Sequence, residues 1–350
     1  MKKYYTRVCN FYYGNLSRKL VKQKKTLPLN GNAEISFDHI EILSRNSKKK
    51  IHIKEIKNQN KNLRKKINKD LKIITKVKKF SKLNLMKTPI LMGILNLTPD
   101  SFSDGGKFVK KDLAYQQIKE LITSGCKIID VGGESSRPGS AEVTKEKEWK
   151  RIEPTLKKLK KLNHFISLDT RKSWIMKKGI EYKVSMINDI SGLNHDTYSL
   201  NVLKKYKIPF VIHHMQGKPK TMQNNPKYKN VLLDVYDFFE KKINEVRKLG
   251  IKHDNILLDP GIGFGKNLKH NITLISNISI FHSLGFPILI GISRKKFIKE
   301  LSANNDTNER IGGTVSSTLY GMMQGVQIFR VHNANEVNQS VKVFNSLKFK

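Results

Sequence analysis

Eight short apolar runs, each giving way to a polar or glycine-rich segment, constrain the fold of this chain more than any other feature. They occupy residues 90–95, 127–131, 165–168, 185–187, 209–212, 255–258, 287–290 and 326–329, and are rich in Ile, Val, Leu and Phe. Continuous rather than alternating hydrophobicity is the pattern of strands buried on both faces, as in a parallel sheet. Most runs are separated by enough chain for one helix. Strands alternating with helices in this number close into a (β/α)8 TIM barrel of the α/β class, whose active site lies at the C-terminal ends of the strands. Asn96, Asp169, Asn188, Asp259, Lys295, Arg330 and His332 fall at or just beyond those ends.

The connecting segments carry helical stripes. Ala114, Ile118, Leu121 and Ile122 precede Gly125; Trp149, Ile152, Leu156 and Leu159 form a second set; Phe239, Ile243, Val246 and Leu249 precede Gly250. Apolar residues at this spacing pack outer helices on a barrel, and a following glycine can take the left-handed cap.

The 350 residues exceed what a barrel needs, so an appendage is expected. The barrel pattern starts near Pro89. Residues 1–88 hold 25 of the 67 basic side chains but 5 of the 29 acidic ones, and almost no glycine. The chain therefore reads as a Lys-rich N-terminal extension of unknown role, 1–88, and a barrel, 89–350. Within the extension, 33–43 alternates loosely and 48–56 more clearly, as strands of a small β-module would; 58–87 reads as a basic helix or linker. Every candidate site residue lies beyond 89, so a barrel beginning near Lys87 is expected to fold and turn over alone.

A formal net charge of +38 raises the question of nucleic acid. The basic residues are overwhelmingly Lys, accompanied by abundant Asn and Ile, as A+T-rich coding produces. No arginine-rich segment or nucleic-acid motif accompanies them. Nucleic acid is not expected as a partner; a basic surface would instead attract anionic substrates. Cys9 and Cys126 cannot make a disulfide framework and fit a reducing compartment. No apolar stretch is long enough to span a membrane, and the N-terminus lacks the apolar core of a signal peptide. A cytoplasmic protein without a membrane partner is expected.

The segments after the strands carry the chemistry. Residues 96–106, NLTPDSFSDGG, are too long for a tight turn and too rich in Pro, Ser, Asp and Gly for regular structure; they suit a lid. Asn96 is placed to offer a neutral oxygen to Mg²⁺, which favours oxygen ligands shared with phosphate. Residues 132–140, GGESSRPGS, combine glycines, hydroxyls and the forked cation Arg137, a set suited to an anion. Asp169, Asn188 and Asp259 would converge on one pocket. Two acceptors and an amide can read a flat heterocycle with several N–H groups, such as an aminopyrimidinone. Residues 261–266, GIGFGK, fit neither a P-loop nor a dinucleotide fingerprint and read as a tight loop presenting Phe264. His213 and His214 are adjacent on a strand and point to opposite faces, which favours a structural role over a shared metal. Period two places Ser293 with Lys295, and Arg330 with His332, where barrels bind phosphate.

Taken together these segments resemble the dihydropteroate synthase family, from about Pro89 to Phe344. The resemblance rests on MGILNLTPDSFSDGG (92–106), DVGGESSRPG (130–139), SLDT (167–170), INDIS (187–191), HMQG (214–217), LDPGIGFGK (258–266), GISRK (291–295) and RVH (330–332). It implies condensation of 6-hydroxymethyl-7,8-dihydropterin diphosphate with p-aminobenzoate and release of pyrophosphate in folate synthesis. It implies that Asp169, Asn188, Asp259 and Lys295 hold the pterin, and that Asn96, Arg330 and His332 handle pyrophosphate and Mg²⁺. Ser136 and Arg137 would close over the diphosphate and the acceptor. Pro138, Phe264 and Ser293 would line the acceptor site, and Asp100 would face the reactive methylene. Asp100, Arg137 and Lys295 are the expected catalytic residues, and a homodimer through outer helices is the expected assembly. The chain departs from the family at His213, where an apolar residue is usual, and at Asn333-Ala334 after Arg-Val-His. A pterin-binding methyltransferase could share Asp169, Asn188 and Asp259, but it would not need residues 136–139 or the Arg330–His332 pair. A Lys-rich binding protein that kept the barrel would not need intact polar strand ends.

Overall fold

The computed structural model of the protein describes residues 3–98, 107–135, 139–218, 220–303 and 306–348. Each of the eight apolar runs contains or borders a strand. These are β5 (Ile90–Asn96), β6 (Ile128–Gly132), β7 (Phe165–Asp169), β8 (Met186–Asp189), β9 (Phe210–His213), β10 (Ile256–Asp259), β11 (Leu289–Gly291) and β12 (Ile328–Val331). Neighbouring strands run parallel in the order β10-β9-β8-β7-β6-β5-β12-β11. A parallel bridge between Leu258 and Ile288 joins the two ends, so the sheet closes into a barrel.

The period-two alternation sorts each strand. Leu91, Ile129, Ile166, Ile187, Phe210, Ile256, Ile290 and Phe329 point outward into one large cluster with the helices. Ile90, Met92, Ile128, Phe165, Met186, Val211, Leu257, Leu289 and Ile328 point inward and fill the lower barrel. The helices are α3 (Lys107–Thr123), α4 (Lys145–Leu159), α5 (Ser173–Glu181), α6 (Ser199–Tyr206), α7 (Val231–Lys248), α8 (Leu268–Ser276), α9 (Lys296–Ser302), α10 (Ile311–Met323) and α11 (Ala334–Lys348). In α7 the Asn230 side chain accepts the Leu233 N–H at the start, and Arg247 and Lys248 occupy the last turn where the helix dipole favours cations. Phe239, Ile243 and Val246 face the barrel, whereas Leu249, at the foot of the same stripe, is exposed because the helix has ended before Gly250 turns the chain at φ +82°.

The extension folds as a small α+β unit. Its strands are β1 (Tyr5–Tyr13), β2 (Leu27–Leu29), β3 (Asn32–Ser44) and β4 (Ser47–His52), all antiparallel, and its helices are α1 (Gly14–Lys22) and α2 (Lys61–Ile74). Val8, Phe37, Ile40, Ile67 and Ile74 give it a core of its own. The unit is also fastened to the barrel. Ser279 Oγ donates to the Val8 carbonyl at 2.8 Å, Tyr13 OH donates to the Met323 carbonyl at 2.8 Å, and Tyr5 packs edge-on against Tyr236 with ring centres 5.1 Å apart. Lys3 pairs with Asp237 and Glu240, and Arg45 with Asp234 and Asp237, all on α7.

Packing bears directly on the expectation that a barrel beginning near Lys87 stands alone. The helix of 58–87 ends at Ile74, and the chain beyond it runs under the barrel. Phe80 and Leu85 are buried in the same interior cluster as Met92, Phe165 and Leu257. They close the N-terminal end of the barrel, which the inward residues of eight short strands leave open.

Candidate active site

Counting by two along each strand from its inward apolar residue leads to the site. Above Ile128, Phe165, Met186, Val211, Leu257 and Ile328 stand Asp130, Ser167, Asn188, His213, Asp259 and Arg330. The barrel interior thus changes within one layer from hydrocarbon to a ring of polar side chains, most of them buried. Two residues beyond Asp130 and Ser167, Gly132 and Asp169 are aligned by the register of β5 to β8 with Asn96 on one side and Asn188 on the other.

A cavity of about 430 Å³ opens over this ring. Asn96, Asn188, Asp259, Phe264, Ser293, Lys295, Arg330 and His332 all line it, so eight of the sequence-predicted site residues share one mouth. Asp169 is not among the lining residues and is joined to the site by its ion pair with Arg330. Asp100, Ser136, Arg137 and Pro138 lie outside the described residues.

Arg330 organises the charges. Its Nε donates to Asp130 Oδ2 at 2.6 Å and its Nη2 to Asp169 Oδ2 at 2.9 Å. Asn188 Nδ2 donates to the same Asp130 oxygen at 3.2 Å, which leaves Asn188 Oδ1 and Asp130 Oδ1 buried without a partner. Burial and the neighbouring Asp130 push the Asp169 carboxyl up, against the pull of Arg330. Asp259 accepts the Gly261 N–H at 2.8 Å, and burial raises it to about 6 despite Lys295, Lys266 and Arg330 nearby. Lys295 extends over Phe264, its Nζ 4.1 Å from the ring centre, and burial beside Arg330 brings it down to about 8. A cation held on an aromatic face with carboxylates in reach is suited to a flat, electron-rich ligand. His332 Nδ1 lies 3.1 Å from Ser293 Oγ, which joins the ends of β11 and β12.

The loop 261–266 presents Phe264 as its sequence suggests, and its glycines have a steric reason. Gly261 and Gly265 hold φ of +65° and +59°, and a Cβ there would lie 1.9 Å from the His214 carbonyl oxygen and 2.5 Å from that of Gln216. Lys266 secures the loop from below. It is buried, donates to the Phe264 carbonyl and lies 2.9 Å from His214 Nδ1; burial lowers it to about 7. His214 therefore turns outward to Lys266 and Phe238, while His213 turns into the barrel against Phe264.

Asp130, which bonds both Arg330 and Asn188, is not marked as a candidate by the sequence pattern. It sits inside an apolar run, and the signal was its parity with Ile128. A second buried network supports the loop after β6. Lys172 Nζ bonds Glu134 at 2.9 Å and Glu148 at 2.6 Å, and Thr170 Oγ1 donates to Glu148 at 2.6 Å. This ties the segment beside Asp169 to α4. Among the described residues no three His, Cys, Asp or Glu side chains are grouped to hold a metal ion.

Residues 92–332 match the family described as "Pterin binding enzyme". The chain is 38% identical over 262 residues to the dihydropteroate synthase of Haemophilus influenzae, covering 75% of this chain and 94% of that protein. A Yersinia pestis dihydropteroate synthase solved with a sulfonamide drug superposes with a TM-score of 0.72 at 38% identity, over 77% of this chain and 97% of that one. A Xanthomonas albilineans dihydropteroate synthase solved with 4-aminobenzoic acid gives 0.71 at 33% identity, over 76% and 94%.

Proposed function

This chain belongs to the dihydropteroate synthase family of pterin-binding enzymes, and on that premise we propose that the cavity over β5 to β12 is where its two substrates meet. The enzyme is a transferase. It condenses 6-hydroxymethyl-7,8-dihydropterin diphosphate with p-aminobenzoate to give 7,8-dihydropteroate and pyrophosphate. The observation that carries the assignment of residues is the convergence of Asn188, Asp259, Lys295, Arg330 and His332 on one cavity.

Asp259 and Asn188 take the N–H and carbonyl edge of the pterin, with Asp169 beside them and Lys295 over the ring. Arg330 and His332 take the diphosphate. Asn96 fits the single protein oxygen that a diphosphate-bound Mg²⁺ needs, since it closes β5 and lines the same cavity. Such an ion would add positive charge to the leaving group. The methylene C–O bond breaks, and its electron pair leaves with pyrophosphate toward Arg330 and His332. The aniline nitrogen donates its lone pair to the methylene carbon, forms the C–N bond and then loses a proton to water. No covalent bond to the enzyme forms. Phe264 and Ser293 flank the acceptor, and the roles of Asp100, Ser136, Arg137 and Pro138 carry over from the family resemblance. A homodimer through the outer helices and a cytoplasmic location belong to the same proposal.

The reading predicts a pH dependence. Asp259 must be ionised to receive two N–H groups, and its carboxyl is raised to about 6. The ionised form is present above that value and lost below it. Affinity for the pterin diphosphate should therefore fall by about tenfold per unit as pH drops below 6, the slope of one linked proton. Asp259→Asn should bind weakly with a flatter profile. Calorimetry from pH 5 to 8 checks this, and an identical slope in both proteins would remove Asp259 from the pterin site.

A further inference from the structure

We infer that His213 is a positioning residue for Asp259: its Nε2–H donates to Asp259 Oδ2 when a flat aminopyrimidinone fills the cavity, and so fixes the carboxylate edge that the ring meets. The inference rests on the pterin reading above and adds to it a residue that neither the ligand chemistry nor the strand-end pattern had assigned.

His213 ends β9 and Asp259 ends β10, paired in register, and both side chains enter the barrel. His213 Nε2 lies 4.0 Å from Asp259 Oδ2, about one ångström beyond a hydrogen bond. The other carboxylate oxygen, Oδ1, is already held by the Gly261 N–H at 2.8 Å. A second donor at Oδ2 would leave the carboxylate no freedom to turn.

The ring itself is confined. Phe264 meets it edge-on with centres 4.7 Å apart, and the tight approach of the loop would put a Cβ on Gly261 2.9 Å from its Cε1. Only 2% of His213 is exposed, and Nδ1 has no hydrogen-bond partner. The proposed bond engages Nε2, the nitrogen that faces the carboxylate, and leaves Nδ1 as the unprotonated nitrogen of the ring. The groups facing the pair are cationic on three sides: Lys266 on the loop after β10, Lys295 after β11 and Arg330 on β12; the Ile190 backbone faces the ring from the segment after β8. Together with burial they hold the imidazole far below its usual value, so it serves as a neutral donor rather than a charge.

The test uses the full chain with His213→Leu and His213→Gln, each first shown to be folded by its thermal melt. Pterin diphosphate affinity is measured by calorimetry from pH 5 to 8, and KM for p-aminobenzoate by turnover. His213→Leu should bind the pterin about tenfold more weakly at pH 7, the typical effect of losing a hydrogen bond to a charged acceptor. Its acidic limb should move to higher pH, because an Asp259 with one donor fewer ionises less readily. His213→Gln, which can still donate, should retain most of the affinity and the wild-type limb. KM for p-aminobenzoate should change less than pterin affinity in His213→Leu, because His213 reaches the acceptor only through its packing on Phe264.

Unchanged affinity in folded His213→Leu overturns the inference, and so does a loss of affinity without movement of the limb, which would mean packing alone. A variant-free measurement stands beside these. In the wild type saturated with pterin diphosphate, the ring ¹⁵N signals of His213 should report a proton on Nε2; a proton on Nδ1 instead overturns the inference. Failure of the wild type to bind pterin diphosphate at all would be a different result, one that removes the pterin reading and this inference with it.

Discussion

Asp169→Ala in the full-length chain is expected to weaken pterin diphosphate binding by roughly a hundredfold or more, the scale of about 3–5 kcal/mol for breaking a buried charged contact. The side chain is nearly buried and already fixed by Arg330 Nη2 at 2.9 Å, so it meets a ligand without reorganising. Arg330 keeps its bond to Asp130 in the variant, which should hold the strand ends in place. Calorimetry on a variant with a native melt reads the effect. Near-normal affinity would mean that Asp169 serves Arg330 alone and that the pterin lies elsewhere.

The second large effect concerns stability. A chain truncated to begin at Lys87 is expected to lose the soluble, cooperative fold of the barrel. The cut removes Phe80 and Leu85 from the interior cluster and uncovers the faces of α7 and of residues 278–284 on which β1 and α2 rest. Phe80→Ala separates the plug from the rest of the extension. It should cost about 3–5 kcal/mol in urea unfolding, the usual result of truncating a buried Phe. That is a large part of the roughly 5–15 kcal/mol that holds a typical domain folded. An unchanged unfolding midpoint in Phe80→Ala would show that the barrel closes without its plug.

The barrel could be read from the sequence because strands buried on both faces leave long apolar runs, and the structure ends those strands within one or two residues of the runs. The strand-end residues followed from the same count. Asp130 did not, because a single carboxylate inside IIDVG looks like noise in an apolar run until the inward parity of Ile128 is known. Lys266 was equally hard to place. Its burial depends on acceptors at Phe264 and His214, and the second follows a strand some fifty residues away in the chain, so no local pattern announces it. In the extension, 33–43 and 48–56 alternate and fall within or across β3 and β4, whereas β1 carries no continuous alternation. Its alternation is broken at Asn10, where φ is +59°. The segment after Ile74 gave no periodic signal at all, since two side chains, Phe80 and Leu85, suffice to close the barrel from below.

These assignments share one central claim: that the cavity joins a pterin diphosphate to p-aminobenzoate with release of pyrophosphate. The direct measurement is pyrophosphate release by the full-length enzyme with each substrate alone and with both. Release should require both substrates and match the 7,8-dihydropteroate formed mole for mole. Release from the pterin diphosphate at the same rate without p-aminobenzoate would contradict the account, because the cavity would then be delivering water rather than the aniline to the methylene carbon.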